Sequence, residues 1–165
     1  MLKAITSRRL NSGALLIEAL IAMLIFSVGI LGLMGLQATV VQASTDAKYR
    51  SEAALLANKL IGSMWVSDRT QATFQATYSG GIGGTDGAGY AQWVQGANTG
   101  NVPSAGSVFQ ILPGAQANPP TVRITSVPAG VAANNPSSLV TITIFWQAPN
   151  ETITHNYVTV VQIGG

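Results

Sequence analysis

The carboxylate of Glu18 stands alone in a long apolar stretch, where it either has a specific partner or reaches out to water near the start of the run. Between Ala14 and Leu36 it is the sole charged side chain. At the centre of a membrane helix an acid of this kind costs roughly 2.5–3.5 kcal/mol. A carboxylate kept at such a cost usually has a specific partner. Three cations, Lys3, Arg8 and Arg9, stand just upstream, before Ser12-Gly13. The rest of the chain offers little reactive chemistry. It has one histidine, His155, and no cysteine, so a thiol nucleophile, a disulfide framework and a cysteine metal site are excluded. His155 falls in an expected strand, and its neighbours Glu151 and Asn156 do not make a ligand set. No Gly-x-Ser-x-Gly elbow occurs. Asp86 by itself cannot build a calcium site. The glycine-rich run Gly80–Gly89 lacks both the phosphate-loop Lys-Ser/Thr and the dinucleotide spacing. Asn150-Glu151-Thr152 matches a glycosylation acceptor but falls where a turn is expected. Trp65, Trp93 and Trp146 read as core anchors. The expectation is a protein that is not an enzyme and needs no cofactor or metal.

Charge and composition narrow the class. Charged residues are 8% and hydrophobic ones 47% of the 165 residues, against roughly 25% charged in ordinary soluble domains. The net charge of +2 comes from the N-terminus: after Gly13, five basic residues face six acidic ones. The body is close to neutral, with no basic patch for nucleic acid.

The element that carries Glu18 must be a helix. Ala14–Leu36 would make about 34 Å of helix at ~1.5 Å per residue, enough to cross a bilayer. Lys3, Arg8 and Arg9 would hold the N-terminus in the cytoplasm and send the residues after about 37 across. A signal-anchor and a secretory signal peptide cut near Ala38 or Ala43 are two readings of this segment. The run is longer than the ~7–15 residue apolar core of a cleaved signal peptide.

A third reading comes from resemblance. Ser12-Gly13 followed by Ala14-Leu15-Leu16-Ile17-Glu18-Ala19-Leu20 is similar to the leader junction of type IV pilins and type II secretion pseudopilins. The resemblance implies that a membrane prepilin peptidase cuts after Gly13 and methylates the new amine of Ala14. The apolar run is then kept. Glu18 would be the subunit-assembly acid, paired with the N-terminal ammonium of a neighbouring subunit. The usual first residue after the cut is Phe; here it is Ala14. Gly29, Gly32 and Gly35 each weaken a water-exposed helix by about 1 kcal/mol but are tolerated in lipid. One reading makes them ordinary small residues of a membrane helix. The other, by resemblance, makes them helix-loosening glycines that act when the helix enters a fibre.

Beyond the membrane segment, residues 37–66 continue the helix in amphipathic form. Tyr49, Ala53, Leu56, Leu60 and Met64 share one stripe. Asp46–Arg50 and Lys48–Glu52 stand at i, i+4 outside it, the first in the favoured order. One helix from 14 to 66 would be roughly 80 Å long, suited to a spine that is half membrane or fibre core and half domain core. Residues 67–120 form a Gly/Thr-rich loop region, anchored by Tyr90 and Trp93. Ser104–Leu112 is a candidate short helix ended by Pro113-Gly114, and Val108–Leu112 an alternative strand. Residues 121–165 are β. Thr121–Val127 alternates with Val122, Ile124 and Ser126 inward. Leu139–Gln147 and Thr152–Ile163 form an antiparallel hairpin across Ala148–Glu151. The sheet should have three or four strands.

Further features narrow the resemblance to PilV-like minor type IV pilins. They are Leu31–Gln37, Ala53-Ala54-Leu55-Leu56-Ala57, Trp93, Leu112-Pro113, Thr143–Trp146 and Tyr157-Val158-Thr159-Val160. This implies an α+β, type IV pilin-like fold with residues 1–13 as leader, and a structural role in initiating pilus assembly. Partners would be the prepilin peptidase, other minor pilins, a tip adhesin and inner-membrane lipid. The location would be the bacterial inner membrane, single-pass with a periplasmic C-terminal domain, and then the pilus. The alternatives are a minor pseudopilin of a type II secretion system and a signal-anchored periplasmic binding domain.

Overall fold

The computed structural model describes residues 12–96, 102–127, 137–149 and 151–164. Helix α1, Ser12–Trp65, is 54 residues long. No proline interrupts it, since the first in the sequence is Pro103. Its last turn is closed by side chains: the Ser63 hydroxyl donates to the Leu60 carbonyl at 2.7 Å and the Ser67 hydroxyl to the Met64 carbonyl at 2.9 Å. Carbonyls near a helix end lose intrahelical partners, and these hydroxyls supply one. Asp68 then accepts from the Thr70 N–H at 2.9 Å. Those hydrogen bonds to Thr70 hold the exposed Asp68 carboxyl below its usual range.

The chain divides into two compact units, residues up to Ser44 and Thr45–Gly165. In the first, every residue from Gly13 to Ser44 is exposed. In the second, the expected stripe is buried: Ala53, Leu56, Leu60 and Met64 are at most 1% exposed, with Tyr49 packed at the margin.

Two short helices, α2 (Gln71–Tyr78) and α3 (Ala88–Gln95), occupy the region read from sequence as loop. Their composition is poor for helix, but Phe74 and Tyr78, and Tyr90, Trp93 and Val94, fall at helical spacing and are buried. Burial of one apolar face, rather than intrinsic propensity, holds such short helices. The final helix, α4, is the single turn Val108–Ile111. It is shorter than the expected Ser104–Leu112 and excludes the alternative strand there.

Strands β1 (Thr121–Val127), β2 (Ser137–Trp146) and β3 (His155–Ile163) form an antiparallel sheet in the order β1-β2-β3. The protein is therefore α+β, with a long apolar N-terminal helix and a small antiparallel sheet. β3 begins at His155 rather than Thr152. Val122 and Ile124 point inward as expected, but Ser126 is exposed. It lies opposite Ser138, one residue from the end of β1. Val140, Ile142 and Ile144 of β2 are fully buried and share the core with the α1 stripe.

Candidate functional site

Gly13, Ala14 and Glu18 all lie in the first turns of α1, and all are exposed. Helical side chains lean toward the N-terminal turn, so residues four apart share a face. Ala14 and Glu18, four positions apart, therefore share one face of α1. Lys3, Arg8 and Arg9 lie outside the described residues.

Large apolar side chains follow without interruption of the pattern. Leu15, Leu16, Leu20, Met23, Phe26 and Leu31 are each 60–69% exposed. A continuous apolar surface of this extent is far beyond the few hundred Å² that a soluble monomer leaves open. The helix is long and apolar enough to cross a membrane.

Gly29, Gly32 and Gly35 stand within this surface, and the helix runs through them unbroken. A methyl added at any of the three would touch nothing within 4 Å. Two hydroxyls return to the backbone nearby. Ser27 donates to the Met23 carbonyl at 2.7 Å, and Thr39 donates to the carbonyls of Gly35 and Leu36 at 3.0 and 3.2 Å. Side-chain bonds of this kind offer the backbone a local alternative and tend to bend helices.

In the C-terminal unit the structure assembles a cluster that sequence reading missed. His155 Nε2 lies 2.9 Å from Glu151 Oε2, and His155 Nδ1 lies 3.4 Å from Asp46 Oδ1. Its ring stacks on Trp146 at 5.8 Å between centroids, with 14° between the planes. The Asp46 contact is an electrostatic approach, since Asp46 Oδ1 has no hydrogen-bond partner. Glu151 and His155 are four apart and adjoin the turn, which is a local clue. Asp46 is 109 positions from His155, and nothing in the sequence joins them. No group that could hold a metal occurs among the described residues. The cluster ties the outer half of α1 to the start of β3.

A half-open cleft of about 420 Å³ lies between α1, α2 and α3, lined by Lys59, Ser63, Tyr78, Gln92, Trp93 and Ser107 among others. Its polar groups are largely engaged in holding the fold. Lys59 Nζ donates to the Gly106 carbonyl at 3.1 Å, Trp93 Nε1 to the Leu56 carbonyl at 3.0 Å, and Tyr78 OH to the Ser63 carbonyl at 3.3 Å. Tyr90 OH donates to the Pro120 carbonyl at 2.6 Å. Burial, and then the charge of Asp86, push the Tyr90 phenol well above its ordinary pKa. His155 is not among the residues of this cleft, so no histidine base faces its serines.

Comparisons with family models, with curated proteins and with solved structures find no match to this chain.

Proposed function

We propose that this chain is a minor subunit of a type IV pilus, with a structural rather than catalytic task in starting pilus assembly. The observation that carries the reading is the exposed apolar helix, entered through Gly13-Ala14 and bearing a single acid, Glu18, one turn later. Such a helix has two water-free homes, the bilayer and the helical core of a fibre, and a pilin subunit occupies each in turn. The α+β arrangement, a long N-terminal helix whose outer half backs a small antiparallel sheet, is what a type IV pilin-like fold would require.

On this reading prepilin peptidase cuts after Gly13 while the N-terminus is cytoplasmic, and Ala14 receives the methyl group. The C-terminal unit faces the periplasm. The cut frees an ammonium at Ala14. In a stack of parallel helices that cation meets the Glu18 carboxylate of a neighbour. A buried carboxylate without a partner is costly, and pairing removes most of that cost. The ion pair therefore selects one axial register as subunits leave the membrane. Gly29, Gly32 and Gly35 are where the helix loosens during that transfer. Other minor pilins and a tip adhesin complete the complex.

The test is Glu18→Val in the full chain. It should accumulate in the inner membrane as the wild type does, yet fall by tenfold or more in sheared surface fibres, as loss of an ion pair worth about 1.4 kcal/mol or more requires. Normal incorporation would overturn the pairing role. Deleting the gene should abolish surface pili and twitching motility. Loss of enzyme secretion with intact pili would assign the chain to a type II secretion fibre instead.

A further inference from the structure

The cleft between α1, α2 and α3 carries one charge on its walls, the Lys59 ammonium, and no carboxylate among the described residues. Its volume of about 420 Å³ falls within the roughly 300–1,000 Å³ typical of small-molecule sites. Every residue that lines it belongs to the C-terminal unit.

Three polar side chains on these walls have bonding capacity to spare. Lys59 Nζ uses one of its three protons on the Gly106 carbonyl, at 3.1 Å, and makes no ion pair among the described residues. A methyl at Gly106 would lie 3.6 Å from Nζ, in contact with it, so the glycine leaves that side of the ammonium uncovered. The next residue, Ser107, is 3% exposed, and its hydroxyl has no hydrogen-bond partner. Ser107 stands at the cap position of α4 yet makes no cap bond with its side chain. An unpaired buried hydroxyl is a standing cost that a ligand oxygen would remove. Gln92 of α3 is exposed, and its side-chain amide makes no hydrogen bond among the described residues.

The walls exclude two kinds of occupant. Leu60, Trp93 and Tyr78 leave only 1%, 6% and 7% of their surfaces open. Little apolar area is therefore offered to a greasy ligand or to a stacked base. No arginine lines the cleft, and one ammonium matches a single negative charge better than the double charge of a phosphate. The hydroxyl of Ser107 and the amide of Gln92 can each donate to and accept from a ligand hydroxyl.

We propose that this cleft binds a small hydroxylated carboxylate, the chemistry of a hexuronic acid. The carboxylate sits on Lys59, and the ligand hydroxyls bond to Gln92 and Ser107. This site stands apart from the pilus reading, since it uses neither the leader nor Glu18.

The experiment is a titration of the full chain in detergent micelles with sodium D-glucuronate, at ionic strength matched with sodium chloride and read from amide NMR shifts. Affinity on the order of 1 mM is expected, because one charge-assisted contact and a few neutral ones are all the cleft offers. Saturable shifts should centre on Lys59, Gln92, Gly106 and Ser107. D-glucose lacks the charge and acetate lacks the hydroxyls, so each should bind at least about tenfold more weakly. Lys59→Gln should also lose about tenfold or more. That variant gives up the bond to Gly106 as well, and two others separate binding from folding. Gln92→Ala and Ser107→Ala remove no side-chain hydrogen bond of the fold. Each should keep the wild-type melting temperature and weaken binding several-fold. No saturable shift up to about 50 mM glucuronate would overturn the proposal. So would equal binding of acetate or of glucose, or wild-type affinity in both alanine variants. An uncut leader or a chain absent from fibres would leave these results untouched.

Discussion

The indole N–H of Trp93 donates to the backbone carbonyl of Leu56 across 3.0 Å, joining residues 37 positions apart. Both are buried, Leu56 at 1% and Trp93 at 6% exposure. The acceptor belongs to the outer half of α1, so the C-terminal unit is built around a helix that also supplies the apolar N-terminal segment. The outer half of α1 is thereby pinned into the core of the C-terminal unit through a side-chain contact with α3.

Replacing Trp93 tests how much that contact holds. Trp93→Phe keeps most of the ring area and loses one hydrogen bond, at a cost of about 1 kcal/mol plus a modest packing loss. Trp93→Ala should cost about 3–5 kcal/mol, a large share of the ~5–15 kcal/mol that holds a typical domain. Urea unfolding of the full chain in detergent, followed by tryptophan fluorescence, should rank wild type, Phe and Ala in that order. Equal midpoints would show that the contact does not hold the unit together.

Tyr90 gives the domain an alkaline limit. Burial and the nearby Asp86 charge favour the protonated phenol in the folded state. Its contribution is therefore complete below the unfolded value of about 10 and declines as pH rises beyond it. Tyr90→Phe leaves the Pro120 carbonyl without its phenol donor and should lower stability near neutrality by about 1–3 kcal/mol. It should also flatten the loss of stability above about pH 10. Thermal melts across that range would show converging curves for the two proteins; parallel curves would contradict the assignment.

The glycine-rich run divides into packed and open positions. A methyl at Gly80 would strike the Tyr90 ring. One at Gly81 would strike the Pro120 carbonyl, on a backbone with φ of 71° that disfavours any side chain. At Gly84 the space is open. Gly80→Ala and Gly81→Ala should each cost about 1–3 kcal/mol or more, and Gly84→Ala should be neutral to within about 0.5 kcal/mol. Equal effects at all three, read from melting temperature, would show the run to be a featureless loop.

The sequence displayed the elements whose side-chain period is carried by strong apolar residues. The stripe from Tyr49 to Met64 was visible because its steps match the helix, and β1 to β3 because Val, Ile and Thr alternate between turns. Helices α2 and α3 were hidden because alanine, glycine, glutamine and threonine mask the few aromatics that hold them; only burial reveals their spacing. The Gly80 bridge to Val122 and the approach of Asp46 to His155 join distant segments and leave no local pattern. Glu18 was conspicuous in the sequence as an isolated acid, but among the described residues it makes no hydrogen bond or ion pair. The pairing proposed for it would come from a neighbouring subunit.

That role stands on the N-terminus the mature chain carries. Intact and N-terminal peptide mass spectrometry of the native protein, taken from membranes and from sheared fibres, reads it directly. The account predicts a chain that begins at Ala14 and is heavier by one methyl group in both fractions. A chain that still begins at Met1, or that begins after Ala43, would contradict it.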